Sequence, residues 1–293
     1  MLSIRVKILV FGRSGQVGGY LENYVTNLPQ FDLVEVDRTD LNLLDTDRII
    51  PFITSLKPDW VINAAAHTAV DKAESEPELC FRLNAEAPCR MAAACADIGS
   101  GFVHYSTDYV FDGQGSCPYT ETDVTNPKSV YGKSKREGEL ATLKQLPASI
   151  ILRTSWVYAK KGHNFVNTML RLARERPEIN VVSDQIGSPT FAGDLAQVTT
   201  NIISGISDGR FSHRGGIFHA TGQGETSWYE FCQQIMKQTF DHSISVNPIS
   251  SDQYPTPAPR PRYSVLSNQK MKEVYSQELR HWKTALGDCL SSD

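Results

Sequence analysis

Two rhythms of apolar positions alternate along this chain. Residues 6–11 (VKILVF) make an almost unbroken apolar run ending at Gly12, the pattern of a strand buried on both faces of a parallel sheet. Behind it, Tyr20, Leu21, Tyr24, Val25 and Leu28 recur at the spacing of an amphipathic helix. The alternation then repeats. Residues 31–36 predict a second strand, and Ile49, Ile50, Ile53 and Leu56 predict a helix over 45–56, halted before Pro58. A third strand is expected at 60–62, an alanine-rich helix at 77–98, a fourth strand leading through His104 to Thr107, a helix through 136–146 and a fifth strand at 150–153. Such alternation builds an α/β fold, a Rossmann-type doubly wound parallel sheet.

Past Tyr158 the regular rhythm ends. A basic amphipathic helix is expected at 164–176, a polar loop at 183–190 (SDQIGSPT), helices at 194–203 and 228–239, and then the proline-rich stretch YPTPAPRPRYS. The organisation expected is a dinucleotide-binding domain over 1–158, to which 191–222 returns. A smaller, irregular substrate-binding region would comprise 159–190 and 223–293.

Composition narrows the function classes. The 293 residues are 40% hydrophobic and 21% charged with a net charge of -4, which suits a globular chain and argues against nucleic acid as a partner. The six cysteines show no C-x-x-C and no His/Cys cluster of zinc spacing, so they read as reduced thiols in a cytoplasmic protein. The opening MLSIRVKILVFG is too short a run for a membrane span and carries no cleavage signature; neither a membrane partner nor secretion is expected.

Candidate chemistry lies at strand ends. Gly12, Gly15 and Gly18 stand three apart between the first strand and its helix, where glycines permit a tight turn and a helix N-terminus offers free N–H groups to a pyrophosphate. Asp37, closing the second strand, is placed to take the adenosine ribose hydroxyls, while Arg38 beside it could hold a 2'-phosphate; NAD and NADP both stay open. Ala64, Ala65 and Ala66 follow the third strand and would let a cofactor lie against backbone. Asn84 sits inside a helix, where its amide reads as a structural hydrogen-bonding group.

Tyr131 and Lys135, four apart where a helix can begin, would share one helix face. An ammonium beside a phenol lowers the phenol's pKa from about 10 toward neutrality, making Tyr131 a candidate general acid. Ser106 and Thr107, ending the fourth strand, can reach the same carbonyl oxygen. Trp156 stands just past the fifth strand, and Arg260 among its prolines could clamp a diphosphate.

The motifs GRSGQVG, NAAAHTAVDKAESEPE, STDYVFDG, YGKSKREGE and RTSWVYA resemble the extended short-chain dehydrogenase/reductases, specifically the dTDP-4-dehydrorhamnose reductase family, over nearly the whole chain. The resemblance implies reduction of the C4 ketone of dTDP-4-dehydro-L-rhamnose by NADPH or NADH. It implies Tyr131 as the acid, Lys135 depressing its pKa and bonding the nicotinamide ribose, and Thr107 bonding the substrate carbonyl. Asp108 and Trp156 would contact the sugar. Gly15, Gln16, Val17, Asp37, Ala66, His67, Thr68 and Tyr105 match cofactor-contacting positions. The family can bridge a homodimer with Mg2+ through two glutamates, but Tyr20 and Gly193 occupy those places here, so no metal ligand is assigned.

Two other readings compete. A non-catalytic regulatory subunit resembling the beta subunit of methionine adenosyltransferase would share the fold and much of the Tyr/Lys motif; AHTAVDKAESEPE and the Trp156 motif resemble the reductases more. A sugar-nucleotide dehydratase or epimerase is the second, yet dehydratases commonly place Asp-Glu after the threonine, whereas Asp108 is followed by Tyr109.

Overall fold

Ile8, Leu9 and Val10 have no solvent exposure at all, and alternation sends them to opposite sides of one sheet. Ile8 and Val10 join a core with Leu21, Val25 and Leu195, while Leu9 and Phe11 join another with Ile53, Met91 and Phe102. Each such fully buried side chain contributes about 1.5–3 kcal/mol of transfer free energy. The computed structural model describes residues 5–212, 214–240 and 244–291; the first four residues of the expected apolar opening lie outside them.

Six parallel strands form that sheet. They are β1 (Val6–Phe11), β2 (Phe31–Val36), β3 (Trp60–Asn63), β4 (Gly101–Thr107), β5 (Ile150–Thr154) and Gly216–His219, in the spatial order Gly216–His219, β5, β4, β3, β1, β2. The winding reverses at β1, so the crevice outside the C-terminal ends of β1 and β3 is the switch point where open α/β sheets bind ligands.

The helices are α1 (Gln16–Thr26), α2 (Ile49–Leu56), α3 (Val70–Ala73), α4 (Pro77–Phe81), α5 (Ala87–Ile98), α6 (Val130–Gln145), α7 (Phe165–Glu175), α8 (Ala192–Ser207), α9 (Trp228–Thr239), α10 (Gln269–Tyr275) and α11 (Trp282–Leu290). Helices α1 and α8 cover one sheet face, and α2, α5 and α6 the other. The final strand follows α8, and α10 packs against it through Tyr275, which touches Phe218. A separate core joins α7, α9 and α11 around Phe231, Ile235, Trp282 and Leu286.

One expected helix differs. The segment expected to be one helix over 77–98 is broken by a π turn, Arg82–Glu86. There the Asn84 amide accepts from the His67 N–H at 2.8 Å and donates to the His67 carbonyl at 3.0 Å and Ser134 Oγ at 3.0 Å. The wide turn aims that side chain out of the helix and across to β3's exit loop. Helix α6 begins at Val130, in the window expected to open it just ahead of Tyr131; Ser129 caps it, accepting from the Gly132 N–H, and Glu74 accepts from the Val130 N–H at 2.8 Å.

One buried ionic group ties α6 to β5. Arg153 and Glu139, 1% and 0% exposed, pair at 2.7 and 2.8 Å, Arg136 adds a third contact at 3.0 Å, and the Arg153 guanidinium lies 5.1 Å over the Phe111 ring.

Candidate active site

The ends of β1, β3, β4 and β5 open into one cleft of about 1390 Å³. Of the residues singled out from sequence, Gly12, Gly15, Gln16, Val17, Ala64, Ala65, Ala66, Thr68, Tyr105, Thr107, Asp108, Tyr131, Lys135, Trp156 and Arg260 line it. Gly18, Asp37, Arg38 and His67 do not.

The glycine turn is shaped by contact. Gly12 has φ +88°, and a Cβ there would come within 2.7 Å of the Ala65 nitrogen, so only glycine lets β1's exit pass β3's alanines. A Cβ on Gly18 would lie 2.0 Å from the Gly12 oxygen; this glycine seats α1 against the turn and does not face the cleft. Gly15 occupies the N-cap of α1 with no side chain to cover the first N–H groups, so the cradle fits a pyrophosphate.

Asp37 is engaged elsewhere. Its carboxylate accepts from the Thr39 N–H and Oγ1 at 2.7 and 2.6 Å and from Arg13 at 2.9 and 3.1 Å. The Thr39 bonds first, then Arg13, hold it down at about 2. Arg13 was not singled out from the sequence, although it lines the cleft; a basic residue inside the glycine turn was the available signal. Arg38 is exposed. The His67 backbone is tied to Asn84, and its ring turns toward Glu76 at 3.7 Å.

At the chemical end, Thr107 is 5% and Asp108 2% exposed, and Thr107 Oγ1 donates to Asp108 Oδ1 at 2.9 Å. Burial pushes the Asp108 carboxyl up to about 6 against the pull of the Ser264 and Thr107 hydroxyls. Tyr131 stands edge-on to Tyr109 with ring centres 5.6 Å apart. Gly132 makes this possible, since a Cβ there would sit 2.2 Å from the Tyr109 oxygen.

The expectation that Lys135 draws the Tyr131 phenol toward neutrality is overturned. Burial pushes the phenol well above its usual value; the Thr107 hydroxyl pulls it down, and Asp108 raises it further. Lys135, 2% exposed, directs Nζ instead to the Tyr105 carbonyl at 2.6 Å and lies 3.3 Å from His104 Nε2. Burial lowers Lys135 to about 8, with Glu139 opposing. Tyr131 therefore rests as a neutral phenol, the form that can give a proton.

Trp156 holds φ +46°, a left-handed conformation costing a bulky residue about 1–3 kcal/mol. Its indole stacks on Trp228 at 3.4 Å and 6°, and a Cβ on Gly187 would strike it at 2.4 Å. Trp228 was not legible as a site residue, because nothing local distinguishes it from a core tryptophan. Across the cleft, Arg260 Nη2 donates to Asp71 Oδ2 at 2.7 Å, and Asp71 Oδ1 also accepts from the Ala258 N–H at 3.2 Å. The AVDKAESEPE segment thus fastens the proline-rich segment through Asp71 and caps α6 through Glu74.

Sheet, glycine cradle and the Thr/Tyr/Lys group lining one cleft together define a Rossmann-type dehydrogenase/reductase. Residues 6–293 match the family model described as the RmlD substrate binding domain, and the chain belongs to this family. It is 42% identical to a dTDP-4-dehydrorhamnose reductase of Burkholderia thailandensis over 97% of this chain and 98% of that protein. Among solved structures, a dTDP-4-dehydrorhamnose reductase of Clostridium acetobutylicum superposes with a TM-score of 0.90 at 39% identity, covering 97% of this chain and 98% of the other. The Bacillus anthracis reductase in complex with NADP gives 0.91 at 32% identity, with the same coverage. Among the described residues, no helix is long and apolar enough to cross a membrane.

Proposed function

We propose that this protein reduces the C4 ketone of dTDP-4-dehydro-L-rhamnose to dTDP-L-rhamnose, using NADPH or NADH. The observation that carries the reading is the convergence of the Thr107 and Tyr131 hydroxyls and buried Lys135 on the cleft into which the glycine cradle also opens. When bound, the reduced nicotinamide supplies a hydride to the sugar's C4.

The chain's own residues handle the other half of the reaction. Tyr131 gives its O–H proton to the oxygen on which charge develops, a role worth on the order of 10²–10⁴ in rate. The Thr107 hydroxyl has one proton, which here goes to Asp108; turning it onto the sugar oxygen supplies a second donor there. Lys135, held on the Tyr105 carbonyl, bonds the nicotinamide ribose. Arg260, already oriented by Asp71, takes the diphosphate, and the indoles of Trp156 and Trp228 flank the sugar. On this reading the sheet holds the dinucleotide, while 159–190 and 223–293 hold the nucleotide sugar, in the cytoplasm where both are soluble.

Mixing the purified protein with NADPH and dTDP-4-dehydro-L-rhamnose tests this. One reduced nicotinamide should be consumed per sugar, and Tyr131→Phe should lose about 10²–10⁴ of kcat while keeping its NADPH affinity. Tight sugar-nucleotide binding without nicotinamide consumption would refute the assignment.

A further inference from the structure

We propose that His104 is a positioning residue for the reduction: its ring proton, locked on Nε2 by Asn63, faces Lys135 and favours that lysine's amine form, so His104 sets the alkaline limit of the enzyme. The inference rests on the proposed function for its kinetic consequence but not for its geometry.

The locking follows from three contacts at the ends of β3 and β4. The Ala65 N–H donates to Asn63 Oδ1 at 3.1 Å, which fixes which end of the Asn63 amide is oxygen. Asn63 Nδ2 must then donate to His104 Nδ1, 3.1 Å away, so Nδ1 is the bare, accepting nitrogen. A neutral imidazole carries its one proton on the other nitrogen. Asn63 and His104 are each 1% exposed, and burial, followed by the Lys135 charge, drives the imidazole's pKa well down; the ring is neutral.

His104 Nε2–H therefore points at Lys135 Nζ across 3.3 Å. An ammonium has only donors to offer, whereas an amine has a lone pair. The neutral lysine can donate to the Tyr105 carbonyl at 2.6 Å and accept from His104 at once; the charged one faces a donor. The other groups acting on Nζ are Glu139 along α6 and Cys80 from α4. Glu139 and Cys80 favour the ammonium, Glu139 the more, but Glu139 is also paired with Arg153 and Arg136. Burial brings Lys135 down to about 8, and the facing His104 N–H acts in the same direction.

The first test needs no substitution. In protein labelled with 15N-histidine, long-range proton–nitrogen correlations separate the two neutral tautomers, and His104 is assigned by its loss in His104→Gln. His104 should show a bare Nδ1 and a protonated Nε2; a protonated Nδ1 overturns the proposal. The second test follows the Lys135 side chain by carbon NMR, identified by difference from Lys135→Arg. Its midpoint should rise by about one unit in His104→Phe, which takes the facing N–H away, and the alkaline limb of kcat/KM for NADPH-dependent ketosugar reduction should move with it. A midpoint that stays put also overturns the proposal. Absence of ketosugar reduction by the unaltered protein would remove the assigned reaction while leaving both NMR results to decide the role of His104.

Discussion

Gly132→Ala tests whether the approach of α6 to the turn Asp108–Val110 sets the geometry of the site. The added Cβ would lie 2.2 Å from the Tyr109 oxygen and 3.0 Å from its carbonyl carbon. An ordinary carbon–oxygen contact is about 3.3 Å or more, so helix and turn must part by about 1 Å. Tyr131 is on the moving helix, and Thr107 immediately precedes the turn. A misplacement of about 1 Å between reacting groups costs on the order of 10²-fold in rate. The stability cost is smaller, because overpacking of about 1–3 kcal/mol is offset by about 1 kcal/mol of gained helix propensity. Steady-state consumption of NADPH with the ketosugar should show kcat down on the order of 100-fold, while urea denaturation shows a loss of about 2 kcal/mol or less. Gly287→Ala in α11, whose nearest neighbour to the new Cβ is Gln238 Oε1 at 3.8 Å, serves as the control that leaves kcat unchanged. A folded Gly132→Ala enzyme with kcat within about threefold of the parent would refute the reasoning.

Three further outcomes are expected. The Asp108 carboxyl is raised to about 6 in the fold, whereas unfolded it loses its proton near pH 4, so the folded state binds more protons between those values. Stability should therefore fall as pH rises through that window and level off above it. Asp108→Asn should flatten the step, adding up to about 3 kcal/mol at pH 7 by urea denaturation while lowering kcat/KM; an unchanged slope counts against the burial argument. Arg13, in the cleft and paired with Asp37, can meet a 2'-phosphate, so Arg13→Ala should weaken NADPH binding by about tenfold and NADH binding less, measured by nicotinamide fluorescence; equal losses would refute that role. Glu139→Ala leaves Arg153 charged and buried, so it should cost about 3–5 kcal/mol, with Glu139→Leu/Arg153→Met losing much less in the same denaturation experiment.

What could be read ahead was local. The apolar run of β1 and the four-residue interval from Tyr131 to Lys135 each depend on neighbours in sequence, and the folded chain keeps both. The π turn at Asn84 escaped notice because apolar periodicity runs on through it, while its cause, the His67 backbone and Ser134, arrives from other elements. Asp37 was placed by its position at the end of the second strand, yet the Arg13 and Thr39 partners that occupy it are fixed by loop geometry. The phenol of Tyr131 was misjudged for a different reason: charge proximity is visible in spacing, but desolvation depends on everything that closes over the ring. Asp71, Glu74 and Arg260 act as fasteners between segments, and no periodicity carries such pairs.

The fastening of Asp71 to Arg260 spans 189 positions of chain. During synthesis, the glycine turn and the helix bearing Tyr131 leave the ribosome well before the proline-rich segment does. A nascent chain can gather its parallel strands while the roof of the cleft is still unmade, and contacts so remote in sequence form late. Messages truncated ahead of codon 260 should thus yield products that grip dinucleotide but turn over no sugar.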